Sequence, residues 1–546
     1  MSLLLFETNW RDVWEDHTPD QPVGAVFTKP EIIELILDMA GYTPEKNRLA
    51  DSRLLEPSCG DGAFLAAAVT RLLSSELTHR GHIDWGDESI GQAITACDVN
   101  SGFVAEARRH VTDQLIVAGC PTARAEALAE RWVEHADFLL TMRSNRFDYV
   151  VGNPPYVRIE ELPERVLRRY RETFATCADR ADLYVAFFEQ GLRLLSERGA
   201  LAFICANRFA KNLYGRGLRE LIARQFHVRY YINLEHTQPF VTEVSAYPCI
   251  TVIDRDRGQP TRAASLDNLE PGTLARIIGD DHFMAAFPSW YQDDAPWVAT
   301  DQKAYLQHMD LARRHPLLED SAENTRAGIG VATGIDEVYV LPIRQDAIEA
   351  ECQLPLLMAK DITPSRLSWS GSYLANPFEN NDAGELRDLT SFPGLASYFE
   401  RHRVSLEKRH TAKKNPQRWY RTIDKVTHSL AARPKLVIPD IQNGGVVGFD
   451  VGNYYPHHNV YWITSDGWNL QALQALLRSS LVLEQVRANS VQMRGGAFRY
   501  QTQVLRRLRI PAVRSLSPVL IAGLAAISGS ADQEQIDRLA LLAFAS

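Results

Sequence analysis

Asn153-Pro154-Pro155-Tyr156 places an amide, two residues of fixed φ and an aromatic ring directly after the apolar run "FDYVVG". By composition, such a tetrapeptide arises by chance on the order of once per several hundred proteins of this length. The prolines have no N–H and stiffen the backbone, so the main-chain carbonyls stay aimed. The Asn153 side-chain oxygen and the Pro154 carbonyl then make a pair of acceptors for one NH2 group. An exocyclic amino group such as that of adenine is a poor nucleophile, because its lone pair is delocalised into the ring. Two fixed acceptors favour a more tetrahedral nitrogen and free that lone pair, while Tyr156 offers a face on which a base can stack. This is catalysis by position and preorganised electrostatics, and it requires neither metal nor covalent intermediate.

Upstream, "LLEPSCGDGAF" (residues 54–64) sets Gly60 and Gly62 between an expected strand and helix. A tight turn there lets a ligand approach the main chain, although two glycines alone are weak evidence. The acids say more. Glu56 and Asp61 flank a loop that a phosphate binder needs free of negative charge. Carboxylates suit a cationic or zwitterionic ligand, and S-adenosylmethionine, with its sulfonium and ammonium, meets that requirement where NAD does not. Asp98 ends the strand "ITACDVN", where a nucleotide-binding α/β fold holds ribose. It lies 38 residues after Gly60, against roughly 20 in the dinucleotide fingerprint. A longer helix and loop, "RLLSSELTHRGHIDWGDES", accounts for the excess; a solvent-exposed strand-end acid is the plain alternative. Asp137 in "HADFLL", 16 residues before Asn153, is a second acid suited to an adenine amino group and is equally ambiguous taken singly.

The elements that must position these residues are short apolar strands alternating with amphipathic helices. "RLLEPSCGDGAFLAAAVTRLL" reads as strand, glycine turn and helix; "AITACDVN", "FDYVVGNPPY" and "YPCITVIDRD" as strands; "LYVAFFEQGLRLLSERGALAFICANR" as helix, turn and strand. That alternation predicts an α/β fold with a parallel sheet covered on both faces, whose ligands sit outside the carboxyl ends of the strands. Past residue 256 the texture changes. "RDRGQPTRAAS" reads as a linker, dividing the chain into residues 1–255 and 256–546.

The chain has 546 residues, 45% hydrophobic and 23% charged, which is globular and allows two to four domains. No apolar run approaches the roughly 18 residues of a membrane span, and "MSLLLFETNWRDVWED" lacks the pattern of a signal peptide. Seven widely spaced cysteines without a CxxC pair argue for reduced thiols in a cytoplasm and against a zinc cluster. The formal net charge of −9 hides an uneven distribution. Residues 401–435 hold eleven Lys or Arg against Glu407 and Asp424, and residues 487–509 hold six arginines and no acid. Each run alone is as well explained by a solvated helix face. Two in one half of the chain point to a phosphate backbone. The aromatic cluster Tyr454, Tyr455, Tyr461 and Trp462 reads as core.

Taken in order, these motifs resemble the gamma class (TaqI-like) of DNA N6-adenine methyltransferases of type II restriction–modification systems, over about residues 24–255. "AVFTKPEIIELIL" is similar to that family's opening motif, "LLEPSCGDGAF" to its cofactor loop, "CDVN" and "ADFLL" to its acidic contacts, and "VVGNPPY" to its catalytic motif. "ADLYVAFFEQGLRLLSERGALAFI" and "FVTEVSAYPCITVI" follow where later motifs belong. Lys29 stands where a proline is more usual.

The resemblance implies an S-adenosylmethionine-dependent, Rossmann-like domain followed by a mixed α+β target-recognition domain. Thr28, Glu56 and Ser58 are expected on the methionine part of the cofactor, with Cys59, Gly60 and Gly62 in the same loop. Asp98 is expected on the ribose, Asp137 at the adenine amino group, Phe138 elsewhere in the cofactor site, and Phe187 against the adenine ring. Asn153, Pro154 and Pro155 are expected at the target amino group, with Tyr156 and Phe240 sandwiching the base. Arg401, Arg403, Lys408, Arg409, Lys413, Lys414, Arg418, Arg494 and Arg499 are expected on DNA. A cytoplasmic monomer acting on duplex DNA is implied, with no metal, no membrane association and a separate restriction endonuclease as functional partner. Two other readings stay open. One is a methyltransferase acting on RNA or on a protein glutamine amide. The other is a non-catalytic DNA-binding protein with a decayed cofactor site.

Overall fold

The computed structural model describes residues 10–14 and 24–546, apart from 142, 179, 245–246, 281, 289, 292–293, 295, 298–301, 320–321, 364–365 and 491–495; for 302–304 only the backbone is described. The chain divides into two compact units, Met1–Tyr305 and Leu306–Ser546.

The first unit is built on nine strands: β1 (Leu54–Glu56), β2 (Ile94–Asp98), β3 (Val133–His135), β4 (Phe147–Gly152), β5 (Leu195–Ala206), β6 (His227–Asn233), β7 (Pro248–Asp254), β8 (Thr261–Ser265) and β9 (Ala285–Phe287). Their order across the sheet is β3-β2-β1-β4-β5-β7-β6-β8-β9. The β3, β2, β1, β4 and β5 strands are parallel, as the alternation predicts. The sequence runs outward from β1 to β3 and then returns to the far side of β1 as β4. The carboxyl ends of β1 and β4 therefore flank the switch point where such sheets take ligands. The expectation of a fully parallel sheet is corrected at β7, which lies antiparallel to both β5 and β6. The described residues between β6 and β7 form no helix, so they lack the helical crossover that a parallel return needs.

Helices α1 (Trp10–Trp14), α2 (Pro30–Ala40), α3 (Ala63–Arg80), α4 (Glu88–Gln92), α5 (Ser101–Val117), α6 (Thr122–Trp132), α7 (Glu164–Thr173) and α8 (Tyr184–Leu194) belong to this unit. α2 starts at Pro30, whose missing N–H is harmless there, and stops at Gly41 with φ 86°, a left-handed cap that glycine adopts without strain. Its apolar face (Ile32, Ile33, Ile36, Leu37) packs in one core with Leu65 and Leu72 of α3 and Ile204 and Ile250 of β5 and β7. Because β8 and β9 extend the same sheet, the division expected at 255–256 is corrected to 305–306. The stretch read as a linker is the β7–β8 turn and β8 itself.

The second unit is mixed α+β. One antiparallel sheet has the order β10-β18-β14-β16, from β10 (Arg326–Ile329), β14 (Lys435–Pro439), β16 (Gly448–Asp450) and β18 (Val460–Thr464). A second, β11-β13-β12-β17, is made by β11 (Val340–Leu341), β12 (Gln353–Leu357), β13 (Tyr373–Ala375) and β17 (Tyr455–Pro456), and a short antiparallel pair joins β15 (Ile441–Gln442) to β19 (Phe498–Arg499). Helices Leu470–Arg478, Ser480–Asn489, Pro518–Ala526 and Gln533–Ala545 share a core with Leu436 and Ile463 of the first sheet. A separate core gathers Tyr339, Leu374, Phe399 and Trp419. No helix among the described residues is long and apolar enough to cross a membrane.

Candidate functional site

Three carboxylates, two of them buried (Glu56 and Asp137) and one half-buried (Asp98), stand at neighbouring strand ends. Glu56 closes β1, Asp98 closes β2, and Asp137 lies two residues beyond β3. With Thr28, Ser58, Cys59, Gly60, Phe138 and Phe187 they line one cavity of about 350 Å³, within the roughly 300–1,000 Å³ of small-molecule sites. Gly60 and Gly62 have φ 52° and 89°, left-handed values that a side chain would strain. Gly60 thereby turns its N–H onto Asp98 Oδ2 at 3.0 Å, and Asn100 N–H holds Oδ1 at 2.8 Å. Gly62 does not line the cavity; it gives room to α5, where Ala107 Cβ would sit 3.2 Å from an added Cβ.

Burial raises the pKa of all three acids, and for Glu56 the charges of Asp61 and Asp98 add to the effect. The Glu56 Oε2 atom has no hydrogen-bond partner. Asp137 is different. Its Oδ2 accepts from Trp14 Nε1 at 2.8 Å and from Tyr170 OH at 2.7 Å, and its Oδ1 from Leu139 N at 2.8 Å. Trp14 and Tyr170 also line the cavity, as do Phe27 and Phe103. Sequence reasoning missed these four. Trp14 sits in a terminal stretch weighed only as a targeting signal, and Tyr170 lies on an amphipathic helix with no motif around it.

Asn153 follows β4 at the switch point. Its Nδ2 donates to Val26 O at 2.7 Å and to Thr28 Oγ1 at 3.2 Å, which spends both amide hydrogens and fixes the orientation of the group. The Oδ1 atom is buried and has no partner. The NH2 group meets two acceptors and the carbonyl meets no donor, which leaves Oδ1 as the free acceptor of the amide. Asn153 and Pro155 line the cavity, whereas Pro154, Tyr156 and Phe240 do not. The Tyr156 ring meets Phe240 edge-on, with centroids 5.8 Å apart and planes at 81°. Phe240 is fully buried, pairs with Thr28 in an antiparallel bridge and joins the sheet core. The expected sandwich of a base between the two rings is not the described arrangement, in which Phe240 braces Tyr156 from the side.

The basic runs divide sharply. Lys408, Lys413, Lys414 and Arg418 are exposed, and Arg401 is exposed beside the Tyr398 ring. Arg409 is a framework residue: it donates to Leu406 O, Thr333 O, Tyr339 OH and Trp419 O. Arg403 pairs with Glu400 and Glu407 and lies over Trp419. Lys435 is wholly buried against Asp450 at 2.6 Å. In the second run Arg499 pairs with Asp440, Arg487 with Glu484 and Arg506 with Glu319. Arg494 lies outside the described residues. A charge count over a window cannot see acids supplied from outside it. Tyr455 and Tyr461 are buried, in keeping with a core role for that aromatic cluster.

Over residues 102–240 the chain matches the family of the Eco57I restriction–modification methylase. It is 38% identical to the type II methyltransferase M.XhoI of Xanthomonas vasicola, covering 95% of this chain and 96% of that protein. It is 41% identical to the type II methyltransferase M.PaeR7I of Pseudomonas aeruginosa, over 89% of this chain and 86% of that one. The chain belongs to the type II DNA methyltransferases. That family acts within restriction–modification systems and implies S-adenosylmethionine as methyl donor. Among solved structures, the type IIL restriction–modification enzyme MmeI in complex with DNA superposes with a TM-score of 0.58 at 11% identity, over 98% of this chain and 76% of that one. At that identity the likeness speaks for the fold alone.

Proposed function

We propose that this methyltransferase modifies the N6 amino group of an adenine rotated out of duplex DNA, and so protects its host's DNA from a companion restriction endonuclease. One observation carries the choice of an amino nitrogen. The Asn153 amide is locked by Val26 O and Thr28 Oγ1 with its only unpartnered acceptor, Oδ1, buried beside the cavity. An orphaned buried acceptor costs about 1–3 kcal/mol in the resting protein. A donor such as the N–H of an exocyclic amine removes that cost.

The cavity fits S-adenosylmethionine. It combines Glu56, a buried carboxylate with an unpartnered oxygen, with aromatic rings, Phe138 and Phe187, spaced 5.3 Å apart. When bound, that group supplies a methyl on a positively charged sulfur, which is a leaving group in its own right. Glu56 would hold the ammonium, Asp98 the ribose and Asp137 the adenine end. Asn153 Oδ1 and the Pro154 carbonyl would take the two N6 hydrogens and turn the nitrogen lone pair toward the methyl carbon. The bound donor would supply its methyl to that nitrogen with the sulfur as leaving group, and the proton displaced from N6 would pass to water. A stacked duplex hides N6 from any such cleft, so the base must leave the helix at a cost of a few kcal/mol. Tyr156 would carry the stacking, braced by Phe240, and the exposed Lys408, Lys413, Lys414 and Arg418 would meet phosphates.

The test is to incubate the purified chain with duplex DNA and S-adenosylmethionine, digest to nucleosides and measure N6-methyladenine by mass spectrometry. Asn153→Ala is expected to cost about 10²–10³ in rate, as for a lost preorganised partner in a transition state, with cofactor affinity kept. Methylcytosine as the product, or equal loss of cofactor binding, would overturn the assignment.

A further inference from the structure

We propose that Asp336, His457 and His458 form a site for a divalent transition metal of zinc-like preference, remote in sequence from every methylation motif. One donor atom from each lies within 4.8 Å of the others. His457 Nε2 is 3.0 Å from His458 Nδ1 and 3.1 Å from Asp336 Oδ2. Bonds of about 2.0–2.1 Å in a tetrahedral site put neighbouring donors roughly 3.3 Å apart, so these spacings need little change to close on an ion.

Proton counting favours a cation over a hydrogen-bond network. An imidazole nitrogen carries either one hydrogen or one lone pair. If His457 Nε2 carries the hydrogen, the Asp336 carboxylate takes it and His458 gains nothing directed. If it carries the lone pair, His458 can donate to it, but the carboxylate then faces a lone pair. One nitrogen with two polar atoms at 3.0 and 3.1 Å suits a metal, which takes a lone pair from each. The rest of the ring sets no tautomer. His457 is 1% exposed and its Nδ1 has no hydrogen-bond partner. No donor reserves that atom as an acceptor, so the tautomer with Nε2 free for a metal is open to the ring. The Asp336 carboxylate is aimed by Thr333, whose hydroxyl donates to Oδ1 and leaves Oδ2 for the histidines, the kind of outer support that ligating carboxylates receive.

Two imidazoles and one carboxylate select zinc-class ions over magnesium or calcium. Three protein ligands leave a fourth position open. His457 and His458 lie between β17 and β18, which belong to different sheets, and Asp336 starts the short helix Asp336–Tyr339 before β11. A bound ion would pin those segments together and stabilise the second unit through mass action.

The test uses tag-free, full-length protein dialysed against excess zinc, gel-filtered in metal-free buffer and assayed by elemental mass spectrometry. One equivalent of zinc per chain is expected, with a higher melting temperature than the chelator-treated protein. His458→Asn should retain under a tenth of an equivalent and show no zinc-dependent shift; its ring is exposed, so the variant folds. Asp336→Asn should behave likewise. Replacement by cobalt should give the intense visible absorption of a four-coordinate ion. Wild type that retains no zinc, or retention that survives His458→Asn, would overturn the site.

Discussion

Replacing Glu56 by Gln tests the electrostatic logic of the cofactor cavity in two opposite directions. The carboxyl is buried, has one unpartnered oxygen and lies near Asp61 and Asp98. A hydrogen bond from a charged donor to such a group contributes about 1.5–3 kcal/mol, which is roughly 10- to 150-fold in affinity. Glu56→Gln should weaken S-adenosylmethionine binding by that factor. The ligand-free protein should respond in the opposite sense. A carboxyl whose folded pKa is raised contributes stability at low pH, and that contribution is lost as pH rises from the ordinary value toward the folded one. The neutral amide avoids the loss, so the variant should melt higher than wild type at neutral pH. Binding of a cationic ligand selects the ionised form. Wild-type affinity should climb with pH toward the raised pKa with release of a proton, and in the variant that slope should be shallower. Calorimetric titration in buffers of different ionisation heat reads affinity and proton release together, and differential scanning reads stability. A variant that binds within two-fold of wild type, or that melts lower without ligand, would show that Glu56 is a framework acid.

Tyr156→Phe should keep methyl transfer within about two-fold and leave stability equal or higher, because the hydroxyl is buried without a partner; Tyr156→Ala should lose both activity and stability in the same nucleoside and melting assays. Lys413→Glu combined with Lys414→Glu should weaken DNA binding and flatten its dependence on salt, by about 0.9 in the logarithmic slope for each phosphate the protein no longer neutralises. Lys435→Met, although it lies in the same basic run, should instead destabilise the fold by about 3–5 kcal/mol in urea unfolding, since it strands the buried charge of Asp450. Its effect on the salt slope should be nil.

The chemistry-bearing residues of the first unit were legible because they obey local rules. Strand-end acids, a glycine turn and a stiff tetrapeptide announce themselves within a few positions, and the switch point between β1 and β4 gathers them. The antiparallel insertion of β7 was not legible, since "YPCITVIDRD" reads the same in either direction. Nor could a texture change at residue 256 separate a sheet's last two strands from a new domain. The basic runs misled for another reason. Arg499 finds Asp440 and Arg506 finds Glu319, partners 59 and 187 residues away, and only the fold brings them together. Asp336 and His457 are likewise 121 positions apart, so no spacing rule applied to the sequence pairs them.

Five residues, 24–28, are gripped from both sides. Gly24 O receives Tyr156 N–H, Val26 O receives the Asn153 amide, Phe27 O receives Val241 N–H, and Thr28 bridges Phe240. A deletion or insertion of one residue in this strip would slip every grip by a register and turn the amide away from its quarry. Drift in length is therefore barred between Gly24 and Thr28.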